Sequence, residues 1–260
     1  MLLEKPRSIV IACDVYRNTG HKYDNRLRKL ENIIRSTDDI EGVGGYQISS
    51  ALPEKYTLSR IVKIVKNNTG KRVIYDQGGF GLSNPKDAED KATDLKESGV
   101  DAVIIFPISG PAVAEEWIKA LINKELGVIV RGHQSYPKYD MVNEGYVGSH
   151  SWRNLYEDAI KLGVRDLQFP ANQIEDLKSF RENLRALSLE EDPSFDADKD
   201  VIFYPTGIGD QGGRLEDISA FGQKAHPIVG RLITSPPDRH IRNAALRFIQ
   251  ELERGYKKAL

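Results

Sequence analysis

The sequence predicts an α/β fold, a (β/α)8 TIM barrel formed as one domain over residues 1–260. Three observations predict it. Short apolar runs rich in β-branched residues alternate with amphipathic stretches, and the alternation repeats eight times. The runs are apolar throughout, as parallel strands covered by helices are. The chain has 260 residues and 40% hydrophobic content, enough for one such core. An open doubly wound sheet is the alternative architecture.

The elements follow in order. Ser8-Ile-Val-Ile-Ala-Cys13 reads as a buried strand ending at Asp14, and Leu27 to Ile34 has helical spacing. A strand over Val43 to Ile48 precedes a helix over Leu58 to Val65, closed by Gly70. Arg72 to Tyr75 is the third strand, followed by a helix from Pro85 to Ser98 that Gly99 stops. Asp101 to Phe106 and Gly127 to Val130 are strands four and five, with a helix over Ala112 to Asn123 between them. Arg131 to Ser151 reads as a long loop at the end where barrels build their sites, either a lid or a plain insertion. A helix from Trp152 to Leu162 leads to strand six, Arg165 to Phe169. Ile174 to Leu187 is helical, and the acidic stretch Glu190 to Lys199 reads as an exposed loop. Asp200 to Tyr204 and Pro227 to Val229 are the last strands, separated by a short helix at Leu215 to Phe221. Asp238 to Tyr256 closes the chain, with Ile241, Ala245, Phe248, Ile249 and Leu252 on one face.

Charge and composition exclude several classes. A net charge of -1 gives no global basic field to hold nucleic acid. No run of 18 apolar residues suggests a membrane span, and the first residues lack the apolar run of a signal peptide. The single cysteine, Cys13, forms no disulfide framework and lies within a strand as inert core. A cytoplasmic protein is expected.

The segment Tyr204-Pro-Thr-Gly-Ile-Gly-Asp-Gln-Gly-Gly213 follows strand seven directly. Gly207, Gly209, Gly212 and Gly213 would let backbone N–H groups converge on an anion. Val229-Gly-Arg231 ends strand eight, where Gly230 permits close approach and Arg231 offers a forked guanidinium. Barrels often hold a phosphate between these two loops. A phosphorylated small molecule is therefore the expected partner.

These two segments resemble the orotidine 5'-monophosphate decarboxylase superfamily. Pro205-Thr-Gly-Ile-Gly-Asp-Gln-Gly-Gly213 is similar to the family's glycine-rich loop, and Ile228-Val-Gly-Arg231 to its end of strand eight. Weaker similarities run through Ile11-Ala-Cys-Asp14, Val73-Ile-Tyr-Asp76 and Gly99 to Ile105. The resemblance implies a homodimer, with Gln211 and Arg231 on the ligand phosphate. It also implies Asp14 near the ribose and Ser135 near the pyrimidine.

The departure from the family is chemical. Its aspartate-x-lysine-x-x-aspartate motif reads Asp76-Gln-Gly78-Gly-Phe-Gly81 here, so Gly78 stands at the lysine position and Gly81 at the second aspartate. The family's strand-two lysine position is Gln47. Decarboxylation without a cofactor leaves a carbanion that needs a nearby cation and a proton donor. Glycine and glutamine supply neither.

Asp14, Asp76 and His133 are the remaining candidates for catalysis; Asp14 and Asp76 could also hold Mg2+, and no other cofactor or metal is suggested. Gln47, Gln77, Gln134 and Gln168 suit reading a ligand by hydrogen bonds. Phe80 could pack on a ligand ring or lie in a core or interface. His226 reads as structural. Three functions stay open: a lyase or isomerase on a nucleotide or sugar phosphate, a non-catalytic nucleotide-binding protein, or the family's own decarboxylation with a lysine such as Lys138 entering from the long loop.

Overall fold

A computed structural model describes residues 2–3, 5–15, 25–78, 84–190 and 194–258. Gly79, Phe80 and Gly81 of the Asp76-Gln-Gly78-Gly-Phe-Gly81 motif lie outside them.

Eight parallel strands form one sheet with neighbours in the order β7-β6-β5-β4-β3-β2-β1-β8. They are β1 (Ile9–Ala12), β2 (Val43–Ser49), β3 (Arg72–Asp76), β4 (Ala102–Ile105), β5 (Gly127–Arg131), β6 (Asp166–Pro170), β7 (Ile202–Thr206) and β8 (Ile228–Val229). The segment before β8 brings β7 alongside and nearly closes the ring. Phe203 N–H donates to Lys224 O at 3.4 Å, and His226 N–H donates to Phe203 O at 2.8 Å. The helices lie between strands in the expected places: α1 (Arg26–Thr37), α2 (Leu58–Lys66), α3 (Ala88–Glu97), α4 (Pro111–Asn123), α5 (Ser151–Lys161) and α6 (Ile174–Glu190). The architecture is thus the expected (β/α)8 barrel and not the open sheet.

Three local expectations need correction. The acidic stretch before β7 is not wholly loop, because Ala197–Asp200 forms a helical turn, α7. Its start is fixed by Asp196, whose carboxylate accepts from the N–H groups of Asp198 and Lys199. β8 stops at Val229, and Arg231 begins a four-residue helix, α8 (Arg231–Thr234), instead of ending the strand. Arg131 belongs to β5 and not to the loop after it. The closing helix, α9 (Ile241–Lys257), packs Ile241, Ala245, Phe248 and Leu252 inward as its periodicity requires.

The alternation of side chains along each strand builds two apolar layers. Ile9, Ile11 and Cys13 face the helices, whereas Val10 and Ala12 join Ile74, Ala102, Ile104, Ile129 and Ile202 inside the ring. Leu3 plugs the ring at the N-terminal ends of the strands, with Leu2 packed beside it. The plug explains Gly127: a Cβ there would stand 2.8 Å from Leu2 Cδ1 and 2.9 Å from Ala102 Cβ. Among the described residues no helix is long and apolar enough to cross a membrane.

Candidate active site at the C-terminal ends of the strands

The same two-residue period carries polar side chains into the mouth. Two positions beyond inward Ala12 stands Asp14, and two beyond inward Ile74 stands Asp76. Two beyond Ile129 is Arg131, and two beyond Tyr204 is Thr206. Gln47 and Gln168 occupy the matching level of β2 and β6, in register with Ala12 and Arg131. These residues line a cavity of about 550 Å3, with Ser135, Gly207, Gln211, Gly230 and Arg231 at its rim. Most of the predicted ligand residues are therefore brought together.

Asp76 is the most heavily bonded group of the floor. Gln47 Nε2 donates to its Oδ2 at 2.9 Å, and Gly78 N–H donates to its Oδ1 at 2.8 Å. Arg131 approaches both oxygens, at 3.5 and 3.4 Å. Asp76 is therefore held in place at the floor of the mouth by Gln47, Gly78 and Arg131. Asp14 differs. Its Oδ1 is buried without a hydrogen-bond partner among the described residues. Burial pushes its carboxyl above the ordinary range; a Ser49 hydroxyl hydrogen bond opposes this, the Asp76 charge adds to it and the Arg231 charge opposes it.

Arg131 is the residue that sequence reading missed. It supplies a cation to the floor of the mouth, where Gln47 and Asp76 also line the cavity. Its carbon stem also lies near Phe106, with the guanidinium 5.6 Å from the ring centre.

His133 is not at the site. It turns into the wall behind the mouth, where Gln134 N–H donates to Nδ1 at 2.8 Å. His133 Nε2 lies within hydrogen-bond distance of Asp176 Oδ2, at 3.0 Å. Tyr139 stacks on one side at 5.7 Å and Trp152 leans on the other at 4.7 Å. This is a packing post for the long loop. Lys138 is also placed elsewhere, exposed and paired with Glu144 at 2.7 Å. Gln77 is not among the cavity-lining residues; its N–H bonds Ile104 O at 3.3 Å. The Mg2+ reading of Asp14 and Asp76 fits poorly, since Asp76 already accepts from three donors. Among the described residues no group of three or more acidic, His or Cys side chains could hold a metal.

The glycine loop sits at the expected mouth but uses its amides differently. Gly209 N–H bonds Gly213 O, Gly212 N–H bonds Gly209 O, and Gly213 N–H bonds Gly207 O, all within 3.0 Å. Three of the four expected glycine amides, those of Gly209, Gly212 and Gly213, therefore close the loop on itself instead of converging on an anion. Gly207 shows why glycine is required, with φ of 77° and a Cβ position only 2.6 Å from Gln211 Oε1. What the loop presents is Gln211, which accepts from Ser135 Oγ at 2.8 Å and so ties the loops after β5 and β7 together. Across the rim, bonding inside α8 begins at Ile233 N–H, which donates to Gly230 O at 2.9 Å. The amides of Arg231 and Leu232 precede it and have no acceptor within that turn. Arg231 itself is 61% exposed and pairs with Asp210 at 3.2 Å, both lining the cavity.

No family model matches the sequence, and no curated protein matches it. Solved structures do match. The orotidine 5'-monophosphate decarboxylase of Methanocaldococcus jannaschii, complexed with the inhibitor BMP, superposes with a TM-score of 0.71 at 21% identity, covering 95% of this chain and 98% of that one. The Pyrococcus horikoshii orotidine 5'-phosphate decarboxylase gives 0.68 at 19% identity, covering 94% and 99%. The Sulfolobus solfataricus enzyme gives 0.65 at 12% identity, covering 96% and 99%. At these identities the likeness shows the fold: this chain has the (β/α)8 barrel of the orotidine 5'-monophosphate decarboxylases over nearly its whole length.

Proposed function

We propose that the chain is a divergent member of the orotidine 5'-monophosphate decarboxylase superfamily that binds a phosphate ester and acts on it as a lyase or isomerase with altered chemistry. The observation that carries the reading is the composition of the cavity. Ser135, Gln211 and Arg231 stand together at its rim, while its floor carries Gln47 and Arg131 and no lysine among the described lining residues. The rim suits a phosphate, with the Arg231 guanidinium and Gln211 lining the same space. The floor suits stabilising negative charge through Arg131 and moving a proton through Asp14. It does not suit returning a proton from a cation to a carbanion.

The test is direct. Orotidine 5'-monophosphate is expected to be decarboxylated several orders of magnitude more slowly than by an enzyme carrying the lysines. A normal turnover rate would overturn the altered-chemistry reading and restore the family's own decarboxylation.

A non-catalytic nucleotide-binding protein is the second reading, and one observation favours it. His133, one of the three expected catalytic groups, is held inside the wall and does not line the cavity. Turnover of any phosphate ester that Asp14→Asn abolishes would decide for the enzyme. Binding without turnover would decide for the sensor. The exposed Met141, Val142 and Tyr146 on the loop after β5 support assembly as a homodimer, which sedimentation would test.

A further inference from the structure

The opposite mouth of the barrel, at the N-terminal ends of the strands, holds a second cavity of about 430 Å3. Asp166 opens β6 at its edge and is in register with inward-facing Ile129 and Ile202. The carboxylate therefore enters an apolar ring while remaining partly accessible from the cavity it lines. Its Oδ1 accepts from the Tyr204 hydroxyl at 2.8 Å. Among the described residues no side chain forms an ion pair with it. Burial raises its carboxyl to about 6, so the charged form prevails at neutral pH. A charge so placed is ordinarily paired. The other carboxylate of the lining, Asp200, is already engaged, accepting from the Asp196 N–H at 2.8 Å. Two cations complete the polar lining. Lys224 Nζ donates to Lys199 O at 2.6 Å, and Arg165 Nη1 donates to Ile160 O and Val164 O at 2.8 and 3.0 Å. An ammonium has three donors and a guanidinium five, so each keeps donors for an anion. The rest of the wall is aliphatic, from Ile122, Val128, Val164 and Ile202.

We propose that this cavity is a second ligand site, for an α-amino acid with an aliphatic side chain. The ligand's ammonium donates to Asp166, its carboxylate accepts from Lys224 and Arg165, and its side chain packs on Ile122, Val128, Val164 and Ile202. The chemistry of the lining selects this class. A simple cation would meet Lys224 and Arg165 unpaired, and a simple anion would meet Asp166. A zwitterion satisfies both through charge-assisted hydrogen bonds. A polar side chain would lose its hydration against the aliphatic wall. The site lies at the opposite mouth from Arg231, so the inference is independent of the phosphate reading and describes an effector site.

Calorimetric affinities for L-leucine, isoamylamine, isocaproate and glycine test this. Isoamylamine is leucine without its carboxylate, isocaproate is leucine without its ammonium, and glycine lacks the side chain. The intact protein is expected to bind leucine about tenfold or more tightly than any of the other three. Asp166→Asn is expected to weaken leucine about tenfold or more and to leave isocaproate as weak as before. Lys224→Gln is expected to bring leucine down towards isoamylamine. It changes a different element, so the test stands if the first variant unfolds. No saturable binding of leucine would overturn the proposal. So would isoamylamine or isocaproate binding as tightly as leucine, or leucine affinity unchanged in either folded variant.

Discussion

Arg131 Nη2 stands 3.4 Å from Asp76 Oδ1 across the barrel floor, with both side chains largely buried, at 15% and 13% exposure. The pair puts a cation into the floor of the mouth, beside Gln47. A buried pair that loses one partner leaves an uncompensated charge. Asp76→Asn is therefore expected to cost about 3 kcal/mol in chemical denaturation. A loss below about 0.5 kcal/mol, the range of surface substitutions, would show that the contact is incidental.

His133→Ala is expected to destabilise the fold without touching ligand affinity. It removes the partner of Asp176 and a ring packed between Tyr139 and Trp152, a loss of about 2–4 kcal/mol. The His133 bond also holds the Asp176 carboxyl below its ordinary value. That stabilisation is present above the unfolded carboxylate range and is lost as pH falls through the lowered folded value. Asp176→Asn should flatten this acid dependence. A selective loss of ligand binding at full stability would return His133 to the active site.

Asp14→Asn separates stability from function. The Asp14 carboxyl is raised by burial, so its neutral form is favoured in the folded state. Its ionisation costs stability increasingly as pH rises past the ordinary carboxylate range. The asparagine variant should therefore be more stable than the intact protein at pH 7, less so in acid, and inactive if turnover exists. A variant less stable at pH 7 than at pH 4, relative to the intact protein, would contradict the assignment.

Two buried groups at the opposite end of the barrel oppose each other in pH dependence. Burial lowers His226 to about 4, so its contribution is lost as pH falls from 6.5 towards 4. Burial raises Asp166 to about 6, against the hydrogen bond it accepts from the Tyr204 hydroxyl at 2.8 Å. Its contribution is present below pH 4 and is lost as pH rises to 6. Asp166→Asn should therefore gain roughly 3 kcal/mol on the intact protein between pH 4 and 7. Equal pH profiles in urea unfolding would refute this.

The fold was legible because eight apolar runs carry their own pattern, and the ends of the elements moved by only a few residues. The rim was legible because Gly207 to Gly213 and Gly230-Arg231 sit in short, distinctive segments. The floor was not. Arg131 directly follows Val130 and looks like the first residue of a loop, yet the strand period places it two beyond inward Ile129. Counting by twos from each inward aliphatic would have found it. His133 misled because sequence shows where a residue falls along the chain but not which way its ring turns. The loop's amides misled for a similar reason: glycine content predicts permissive backbone but not where its hydrogen bonds go.

The phosphate grip carries the account, and one comparison tests it most directly. Affinities of UMP against uridine, and of ribulose 5-phosphate against ribulose, are measured for the intact protein and for Arg231→Ala. The account predicts that a phosphorylated ligand binds at least about 30-fold more tightly than its unphosphorylated partner, and that Arg231→Ala removes about 2 kcal/mol of that advantage while the unphosphorylated ligand is unaffected. Equal binding with and without the phosphate, or an advantage that Arg231→Ala leaves whole, would contradict it.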